Sequence, residues 1–445
     1  MHLPRPCLIL PLLLAALVPA CTLPDKLCIG DCPEEVDPDS ETSTPDETGD
    51  PDLTTTAGES SESGESGEPL ASCEIPDDLG PFGDCADASF EPGEFCFIEG
   101  GGTDSPKDIS AAISGRFDAS GDDLLIAHGD GTVTMMLDDE APGIDFEPTV
   151  LQVDLPTPFV PTGVGDLDED GHPDVVGRMP GETVDYIEVI LIDDGHLSGA
   201  SAIDQGKLVF GPAIADWNLD DHLDLVVIAP NGDLDDVFVL HGDGTGEFTP
   251  ELSFTMNLGD QQVIMGDLGD DGRGNDWVFM SPDAELEILM TSPGDVNLSR
   301  ALGPDLFARD AKIADLGGDA RGDIVVLTDD TSTGTSTLHV LIQTGTPVEP
   351  DFLIQRYPVV CGATTLALGR LDGDDALDIA VVGPGDPTVM IRRNDGQGGF
   401  AGVTHTILEP GIDQLHLVDA SGDGFLDIVG TSRTTDKIRY MSGTP

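Results

Sequence analysis

Short apolar runs bounded by turn-forming residues recur along most of the chain after residue 94. LVVI at 225–228 and IVVL at 324–327 are two of them, and alternating segments such as YIEVILID at 186–193 follow further along. Short apolar runs are typical of buried strands, and alternation is typical of strands with one exposed face. The pattern predicts an all-β protein.

An acidic turn precedes each apolar run, and these turns recur at a regular spacing. Their first residues lie at intervals of 48 to 55 and are Arg116, Asp166, Asp216, Asp267, Asp315, Arg370 and Asp419. Repeats of this length with four short strands each are typical of β-propellers, whose radial arrangement leaves only short sheet edges. The sequence therefore predicts a seven-bladed β-propeller of four-stranded blades.

The second residue of each turn is large and apolar in all copies except the last, where it is Ala420. These residues are expected to be core because they precede buried strands. Trp217, which holds this position in the third copy, is accordingly predicted to be a core residue and not a platform for a ligand.

The two ends of the repeat region suggest how the ring closes. The last copy supplies only DIVGTS at 427–432 and KIRYMSG at 437–443 after its turn, so it is one strand short. EFCFIEG at 94–100 is a lone strand that precedes the first copy. We predict that this N-terminal strand becomes the outer strand of the seventh blade, which gives a propeller spanning 94–445.

The acidic turns carry the ligand chemistry of calcium, which takes six to eight hard oxygen ligands. In the second copy, side chains at turn positions 1, 3 and 5, the carbonyl at position 7 and a carboxylate at position 9 can converge on one ion. An EF-hand would need a bidentate Glu at position 12, which is Gly177 here, and flanking helices. The spacing favours a strand–turn–strand calcium clip.

The copies differ in how many of these ligands they retain. The candidate metal ligands are Asp166, Asp168, Asp170, His172 (carbonyl) and Asp174; Asp216, Asn218, Asp220, His222 (carbonyl) and Asp224; Asp267, Asp271 and Asp276; Asp315, Asp319 and Asp323; Asp372, Asp374 and Asp378; and Asp419, Ser421, Asp423 and Asp427. We expect about three to five bound Ca²⁺ ions. The alternative is that some loops are simply acidic turns.

Two copies begin with arginine instead of aspartate. The guanidinium groups of Arg116 and Arg370 are expected to neutralise Asp118 or Asp372 and to replace the ion. The imidazoles of His172 and His222 are expected to be exposed and not to bind metal.

The period, the Asp-rich turns and the glycine-rich turns GDGTGEF (242–248) and NDGQGGF (394–400) together resemble the FG-GAP/VCBS repeats. Those repeats form seven-bladed propellers in the head of integrin alpha chains and in many bacterial surface proteins. The resemblance covers about 94–445. It implies a calcium-clipped propeller whose face or rim binds a partner, usually without catalysis.

The N-terminal region is predicted to direct export. An apolar segment within 1–20 reads as a signal peptide, and LVPAC (17–21) resembles a lipobox in which Cys21 becomes lipidated. Ordinary signal-peptidase cleavage after Ala20, giving a secreted protein, is the alternative. Residues 21–72 are rich in Asp and Glu and are predicted to form a disordered linker or stalk, with the lipid anchor at Cys21.

The remaining cysteines suggest disulfides because the chain is predicted to be exported. CIGDC (28–32) is spaced to close on itself, and residues 73–97 resemble a small cysteine-rich module that precedes propellers in bacterial surface proteins. Zinc binding by these thiols is the less favoured alternative. The sequence leaves the pairing of Cys361 open.

The formal net charge of −68 argues against binding to nucleic acid or to anionic lipid headgroups. The same acidity would also suit a saline environment. GxSxG, HExxH and P-loop motifs are absent from the sequence, so we expect no enzyme. The leading hypothesis is a monomeric, calcium-stabilised adhesion or binding module at a bacterial outer membrane or cell surface, with a protein or glycan ligand. A structural display scaffold and, less favoured, a propeller enzyme acting on polysaccharide are the alternatives.

Overall fold

The computed structural model describes residues 97–443, except 106, 119–120, 138–146, 152–154, 156–157, 181–184, 205–209, 232–233, 257–261, 270–273, 292–295, 347–348, 386–387 and 421–423. The predicted signal peptide (1–20), the acidic linker (21–72) and all of the cysteine-rich module except Phe97 lie outside the described residues. Among the residues that are described, no helix is long and apolar enough to span a bilayer.

The described residues form 28 β-strands. In chain order they are β1 Phe97–Asp104, β2 Ile109–Gly115, β3 Asp123–His128, β4 Val133–Leu137, β5 Glu147–Leu151, β6 Val160–Gly165, β7 Asp174–Met179, β8 Tyr186–Asp193, β9 His196–Asp204, β10 Phe210–Ala215, β11 Asp224–Asn231, β12 Leu234–Gly242, β13 Phe248–Met256, β14 Gln262–Gly266, β15 Asp276–Met280, β16 Glu285–Met290, β17 Val296–Ala301, β18 Leu306–Ala314, β19 Asp323–Asp330, β20 Ser336–Thr346, β21 Glu349–Val359, β22 Thr365–Gly369, β23 Asp378–Val382, β24 Thr388–Arg393, β25 Gly402–Ile407, β26 Gln414–Val418, β27 Asp427–Ser432 and β28 Lys437–Gly443.

These strands form seven four-stranded antiparallel sheets, which are the blades of a propeller. Blades 1 to 6 are β2–β5, β6–β9, β10–β13, β14–β17, β18–β21 and β22–β25, each taken from consecutive strands. Blade 7 combines β26–β28 with β1, which pairs with β28 so that Phe97 lies opposite Gly443 and Asp104 opposite Lys437. The prediction that an N-terminal strand closes the ring is confirmed.

The hydrophobic core lies between blades. Seven clusters of buried side chains occur among the described residues, and each joins two neighbouring blades, including blades 7 and 1. A single blade has two apolar faces and can bury them only against its neighbours, so burial and ring closure depend on each other. Trp217 is half-buried and packs against the cluster between blades 3 and 4, with its ring centroid 4.6 Å from that of Trp277. This packing agrees with the prediction that Trp217 belongs to the core, although its side chain is only partly buried.

The propeller has two distinct faces. The turns between the first and second strands of each blade carry the acidic motif, and we call this side the acidic-loop face. The turns between the second and third strands lie at the opposite ends of the same strands, and so do the connections from one blade to the next. This second side is called the opposite face.

Candidate metal centre

The acidic loops of blades 2, 3 and 5 share one backbone conformation that does not depend on their exact sequence. In blade 2, turn positions 4 and 6 have positive φ angles, 59° at Glu169 and 96° at Gly171. In blade 3 the same positions are Leu219 at 63° and Asp221 at 71°, although neither is glycine. Left-handed backbone at non-glycine residues costs free energy and persists only where the surroundings impose it.

Hydrogen bonds within the loops impose this conformation. The carboxylate of the position 1 aspartate accepts main-chain N–H groups from further round the turn, as in Asp216, which accepts from Asp220 at 3.1 Å and Asp221 at 3.1 Å. The carboxylate at position 5 accepts the N–H at position 7, as in Asp170 with His172 at 2.9 Å. These hydrogen bonds between groups of the same turn define the loop conformation without a ligand.

The blade 2 loop brings three carboxylates together. Asp166, Asp168 and Asp174 each have a ligand oxygen within 4.8 Å of the others, and theirs is the one such group of three among the described residues. One oxygen of Asp166 and one of Asp168 are buried and have no hydrogen-bond partner. Buried polar atoms normally have partners, so two orphaned oxygens that belong to the same group indicate a place for a positively charged ligand.

The electrostatics of this loop lead to the same conclusion. Burial raises the pKa of Asp168, and the neighbouring carboxylates of Asp170 and Asp166 raise it further. Burial also raises the pKa of Asp174 to about 7, against the opposing effect of two main-chain hydrogen bonds. A divalent cation would favour the ionised form of all these groups.

The position 9 aspartates have a second role that the sequence pattern does not predict. One carboxylate oxygen accepts the N–H of the apolar residue at turn position 2, and the other accepts an N–H from the C-terminal part of the third strand or from the residue just after it. Both bonds occur in blades 2 to 6, and at least one of them in blades 1 and 7. These buried residues, which we call the staple aspartates, are Asp123, Asp174, Asp224, Asp276, Asp323, Asp378 and Asp427. In blades 2 to 6 the two bonds together connect the loop to the third strand through protein groups alone.

The blade 5 loop has a cation of its own. The Arg321 guanidinium donates from Nε to Asp319 Oδ2 at 3.0 Å, and a second nitrogen forms a short ion pair with the same oxygen. Burial alone would raise the pKa of Asp319, but the hydrogen bonds from Arg321 lower it. The sequence signal was available, because Arg321 lies two residues after Asp319, at turn position 7, where its side chain folds back over the loop.

In the blade 3 loop, the candidate ligands contact other side chains. Asn218 donates from its amide nitrogen to Asp220 at 3.0 Å. His241, at the end of β12, lies 3.5 Å from Asp224. The sequence does not indicate a role for His241, because β12 approaches the loop only in the folded blade.

The two histidine side chains of the second and third turns are near carboxylates and not among the grouped ligands. His222 forms a short contact with Glu169 of the neighbouring blade, and His172 lies 3.9 Å from Asp193. Glu169 raises the pKa of His222 through its side-chain hydrogen bond. The contact also ties the acidic loop of blade 3 to that of blade 2.

Neither predicted ion pair, Arg116 with Asp118 or Arg370 with Asp372, is found among the described residues. Arg116 lies 3.9 Å from Asp122, and Arg370 donates to the main-chain carbonyl of Asp375 at 3.0 Å. In blade 6, burial raises the pKa of Asp372, with the nearby Asp374 adding to it. The guanidinium of Arg370 thus holds the backbone of the turn.

The remaining candidate ligands can be placed only in part. In blade 4, Asp267 and Asp276 are described and Asp271 lies outside the described residues. In blade 7, Ser421 and Asp423 also lie outside the described residues. Asp419 accepts the N–H of Gly424 at 3.0 Å, as a position 1 aspartate does in the other loops. In blade 5, Asp315 accepts from Gly318, Asp319 and Ala320.

A shallow cavity of about 310 Å³ lies on the opposite face, between blades 4 and 5. Its lining combines three carboxylates, those of Asp283, Glu285 and Asp305, with the ring of Phe307. Phe307 is 37% exposed and is covered on one side by the guanidinium of Arg309, 4.6 Å from the ring centroid. This cavity is remote from the acidic loops.

Comparison with known proteins supports the repeat pattern in part of the chain. A family model described as FG-GAP-like repeat matches residues 370–430, from the acidic turn of blade 6 into β27 of blade 7. No curated protein matches the chain. Two solved structures of BBS1N in complex with ARL6DN are similar, and each covers 78% of this chain and 96% of its own. The mercury-soaked structure is 11% identical with a TM-score of 0.49, and the lead-soaked structure is 10% identical with a TM-score of 0.51. At this identity the likeness concerns the fold alone.

Proposed function

We propose that this protein is a non-catalytic binding module whose propeller is stabilised by calcium in its acidic loops. The observation that carries the proposal is the group formed by Asp166, Asp168 and Asp174, with two buried carboxylate oxygens that lack hydrogen-bond partners. The blade 2 loop is the strongest site, and the blade 5 loop is the weakest because Arg321 already neutralises it.

The donor set favours calcium over other divalent ions. All three grouped ligands are carboxylates, with no thiol or imidazole among them, which suits hard cations and not zinc or copper. Calcium accepts irregular oxygen geometry, whereas magnesium requires a near-ideal octahedron and retains its water. A loop whose backbone is fixed by its own hydrogen bonds is therefore better matched to calcium.

The ion would act on stability and not on chemistry. It would neutralise carboxylates that burial otherwise pushes toward protonation, as at Asp174. Neighbouring acidic loops are connected, for example through Glu169 and His222 and through the Gly322 N–H, which donates to the carbonyl of Asp267 at 2.8 Å. An ion that stabilises one loop would therefore also stabilise the adjacent blade. A ligand at about 100 times its dissociation constant adds roughly 2.7 kcal/mol per site.

Calorimetric calcium titration and thermal unfolding in calcium, magnesium or EGTA test this proposal. We expect calcium to raise the melting temperature more than magnesium does. Asp168→Asn should remove one bound equivalent and reduce the calcium-induced increase. Asp118→Asn, at the same turn position of the arginine-led blade 1 loop, is the matched control and should leave both quantities unchanged. The absence of any calcium-dependent heat or stabilisation at millimolar concentration would contradict the proposal.

The partner is proposed to be a protein or a glycan bound through propeller loops, because loops on a rigid scaffold commonly carry recognition. The proposed setting is a bacterial outer membrane or cell surface, with the chain anchored through Cys21 or else secreted. Glycan arrays and pull-downs with and without EGTA test the first point, and cell fractionation with fatty-acid labelling of wild type and Cys21→Ser tests the second. Calcium-stabilised folding without any partner would favour a display scaffold.

A further inference from the structure

The cavity on the opposite face lies where three connecting segments meet, and we call it the opposite-face cavity. The segments are the β15–β16 turn, the connection from β17 to β18 and the β19–β20 turn. Pro304, Leu306 and Phe307, in that connection and at the start of β18, give the cavity an apolar surface. Three carboxylates line the same cavity, so it suits a ligand with both an apolar and a positively charged part.

Main-chain hydrogen bonds join these segments to one another. Leu302 donates its N–H to the carbonyl of Ala284 at 3.1 Å. Thr331 donates to the carbonyl of Asp305 from its N–H at 2.8 Å and from its hydroxyl at 2.9 Å. The φ angles of Ala284 and Asp305 are 57° and 61°, and left-handed backbone at non-glycine residues persists only where the surroundings impose it. The walls of the cavity are therefore preorganised, which lowers the entropic cost of binding.

Phe307 presents an aromatic ring at this cavity. It is one of four large apolar side chains that are exposed among the described residues, and it is the one of these that lines the cavity. The guanidinium of Arg309 lies 4.6 Å from the ring centroid, and its Nε donates to Asp329 at 2.6 Å. Aromatic faces attract cations, and this ring already contacts one. Because Asp329 neutralises Arg309, that guanidinium opposes a second cation only weakly.

The carboxylates that line the cavity are available to a ligand. Asp283, Glu285 and Asp305 form no ion pair with a side chain among the described residues, whereas Asp329 is paired with Arg309. Their oxygens are also not grouped within 4.8 Å of one another, as those of the blade 2 loop are. They are therefore spaced too widely for all three to chelate one metal ion, but an elongated cation can reach them.

We propose that the opposite-face cavity binds an arginine side chain of a partner protein. The aliphatic stem of the arginine lies against Phe307 and Leu306, and its guanidinium lies among the carboxylates. Arginine stems pack on apolar surface while the charged end stays among polar groups, and the planar guanidinium both stacks on aromatic rings and donates to carboxylates. This proposal rests on the proposed role as a binding module, and it gives that role a surface and a class of partner.

Charge complementarity favours a basic protein segment over a glycan. The formal net charge of −68 attracts cationic segments and repels anionic ones. A neutral glycan would cover the three carboxylates without supplying a positive charge, and covering an unpaired charge costs free energy. An arginine-bearing segment supplies that charge and an apolar stem together.

Saturation-transfer NMR of the full-length protein, with the peptide acetyl-GSGRGSG-amide as the probe, tests this proposal. A second peptide carries citrulline in place of arginine, which keeps the shape and removes the charge. We expect saturation transfer to the arginine methylene groups and much weaker transfer to citrulline. Phe307→Ala should weaken binding about threefold, the loss expected for an exposed cation–π contact. Asp305→Asn should weaken binding by a similar factor, because it removes one of the carboxylate charges.

Two variants of blade 5 are matched controls. Leu353→Ala truncates an exposed apolar side chain of β21, and Glu349→Gln neutralises an exposed carboxylate at the start of the same strand. Both should leave the affinity unchanged, and thermal unfolding shows whether each variant is folded. Equal binding of the two peptides, or an affinity that Phe307→Ala and Asp305→Asn leave unchanged, would overturn the proposal, because it would indicate general attraction to an acidic protein.

The peptide titrations are made in calcium and in EGTA, below the melting temperature. The cavity is remote from the acidic loops, so the arginine peptide should bind equally in both conditions. Arginine binding without any effect of calcium on stability would support the cavity and contradict the calcium proposal. Calcium-dependent stabilisation without arginine binding would support the calcium proposal and overturn the role of the cavity.

Discussion

The staple aspartates allow the role of the loop backbone to be separated from the role of calcium, and Asp323 in blade 5 is the best place to do so. Its carboxylate accepts three main-chain N–H groups: those of Leu316 and Gly317 at 2.8 Å each and that of Gln343 at 2.7 Å. Asp323→Ala removes all three acceptors. A buried donor left without a partner costs about 1–3 kcal/mol, so the gross loss is roughly 5 kcal/mol.

Part of that loss is offset because the wild-type carboxylate is itself costly to bury. Burial raises the pKa of Asp323 from 3.8 to about 6, which corresponds to about 3 kcal/mol against the ionised form above pH 6. The net destabilisation at pH 7 is therefore about 2 kcal/mol. Below pH 3.8 the carboxyl of Asp323 is protonated in the folded and in the unfolded protein, so the wild type regains the stability that ionisation removes at pH 7. Asp323→Ala should therefore lower the free energy of unfolding by more at low pH than at pH 7.

Urea unfolding at pH 7, in calcium and in EGTA, measures this effect. The loss caused by Asp323→Ala should be the same in both conditions, because Arg321 supplies the positive charge of this loop. Asp283→Ala, which truncates an exposed aspartate elsewhere in the propeller, is the control and should change stability little. A loss that appears only with calcium, or one well below 1 kcal/mol, would refute the staple role of Asp323.

Three further outcomes are expected. Burial raises the pKa of Glu188 from 4.5 to about 7, so ionisation of Glu188 should reduce wild-type stability by up to about 3 kcal/mol as the pH rises from 4.5 to 7. In urea unfolding, Glu188→Gln should be more stable than the wild type at pH 8 but not at pH 5, and the exposed Glu285→Gln is the control. Equal effects at both pH values would contradict this prediction. Arg321→Gln should free the carboxylate of Asp319 and add calcium binding at blade 5, and calorimetry that shows no added equivalent would argue against replacement of the ion by the guanidinium. Gly177→Ala would place a Cβ 2.4 Å from a main-chain carbonyl oxygen, so a loss of about 1–3 kcal/mol is expected in thermal unfolding, and an unchanged melting temperature would show that the strand can shift at no cost.

The sequence was sufficient to predict the architecture of the propeller because its signals are local and repeated. A period near 50, short apolar runs and acidic turns gave seven four-stranded blades, and a missing strand at one end matched an extra strand at the other. The pairing of Phe97 with Gly443 confirms that closure. The grouping of the blade 2 carboxylates was also predictable from the sequence, because Asp166, Asp168 and Asp174 lie within nine residues of one another.

The tertiary structure decided which groups surround each loop and what charge they carry. His241 reaches the blade 3 loop from the third strand, and Glu169 contacts that loop from the neighbouring blade, so the spacing of residues along the chain does not predict either contact. The double use of the staple aspartates likewise required the third strand to lie beside the turn. Sequence period determines the repeated unit because a repeat must bury the same faces in every copy. Charge balance in a loop depends on contacts between units, and only the closed ring brings those groups together.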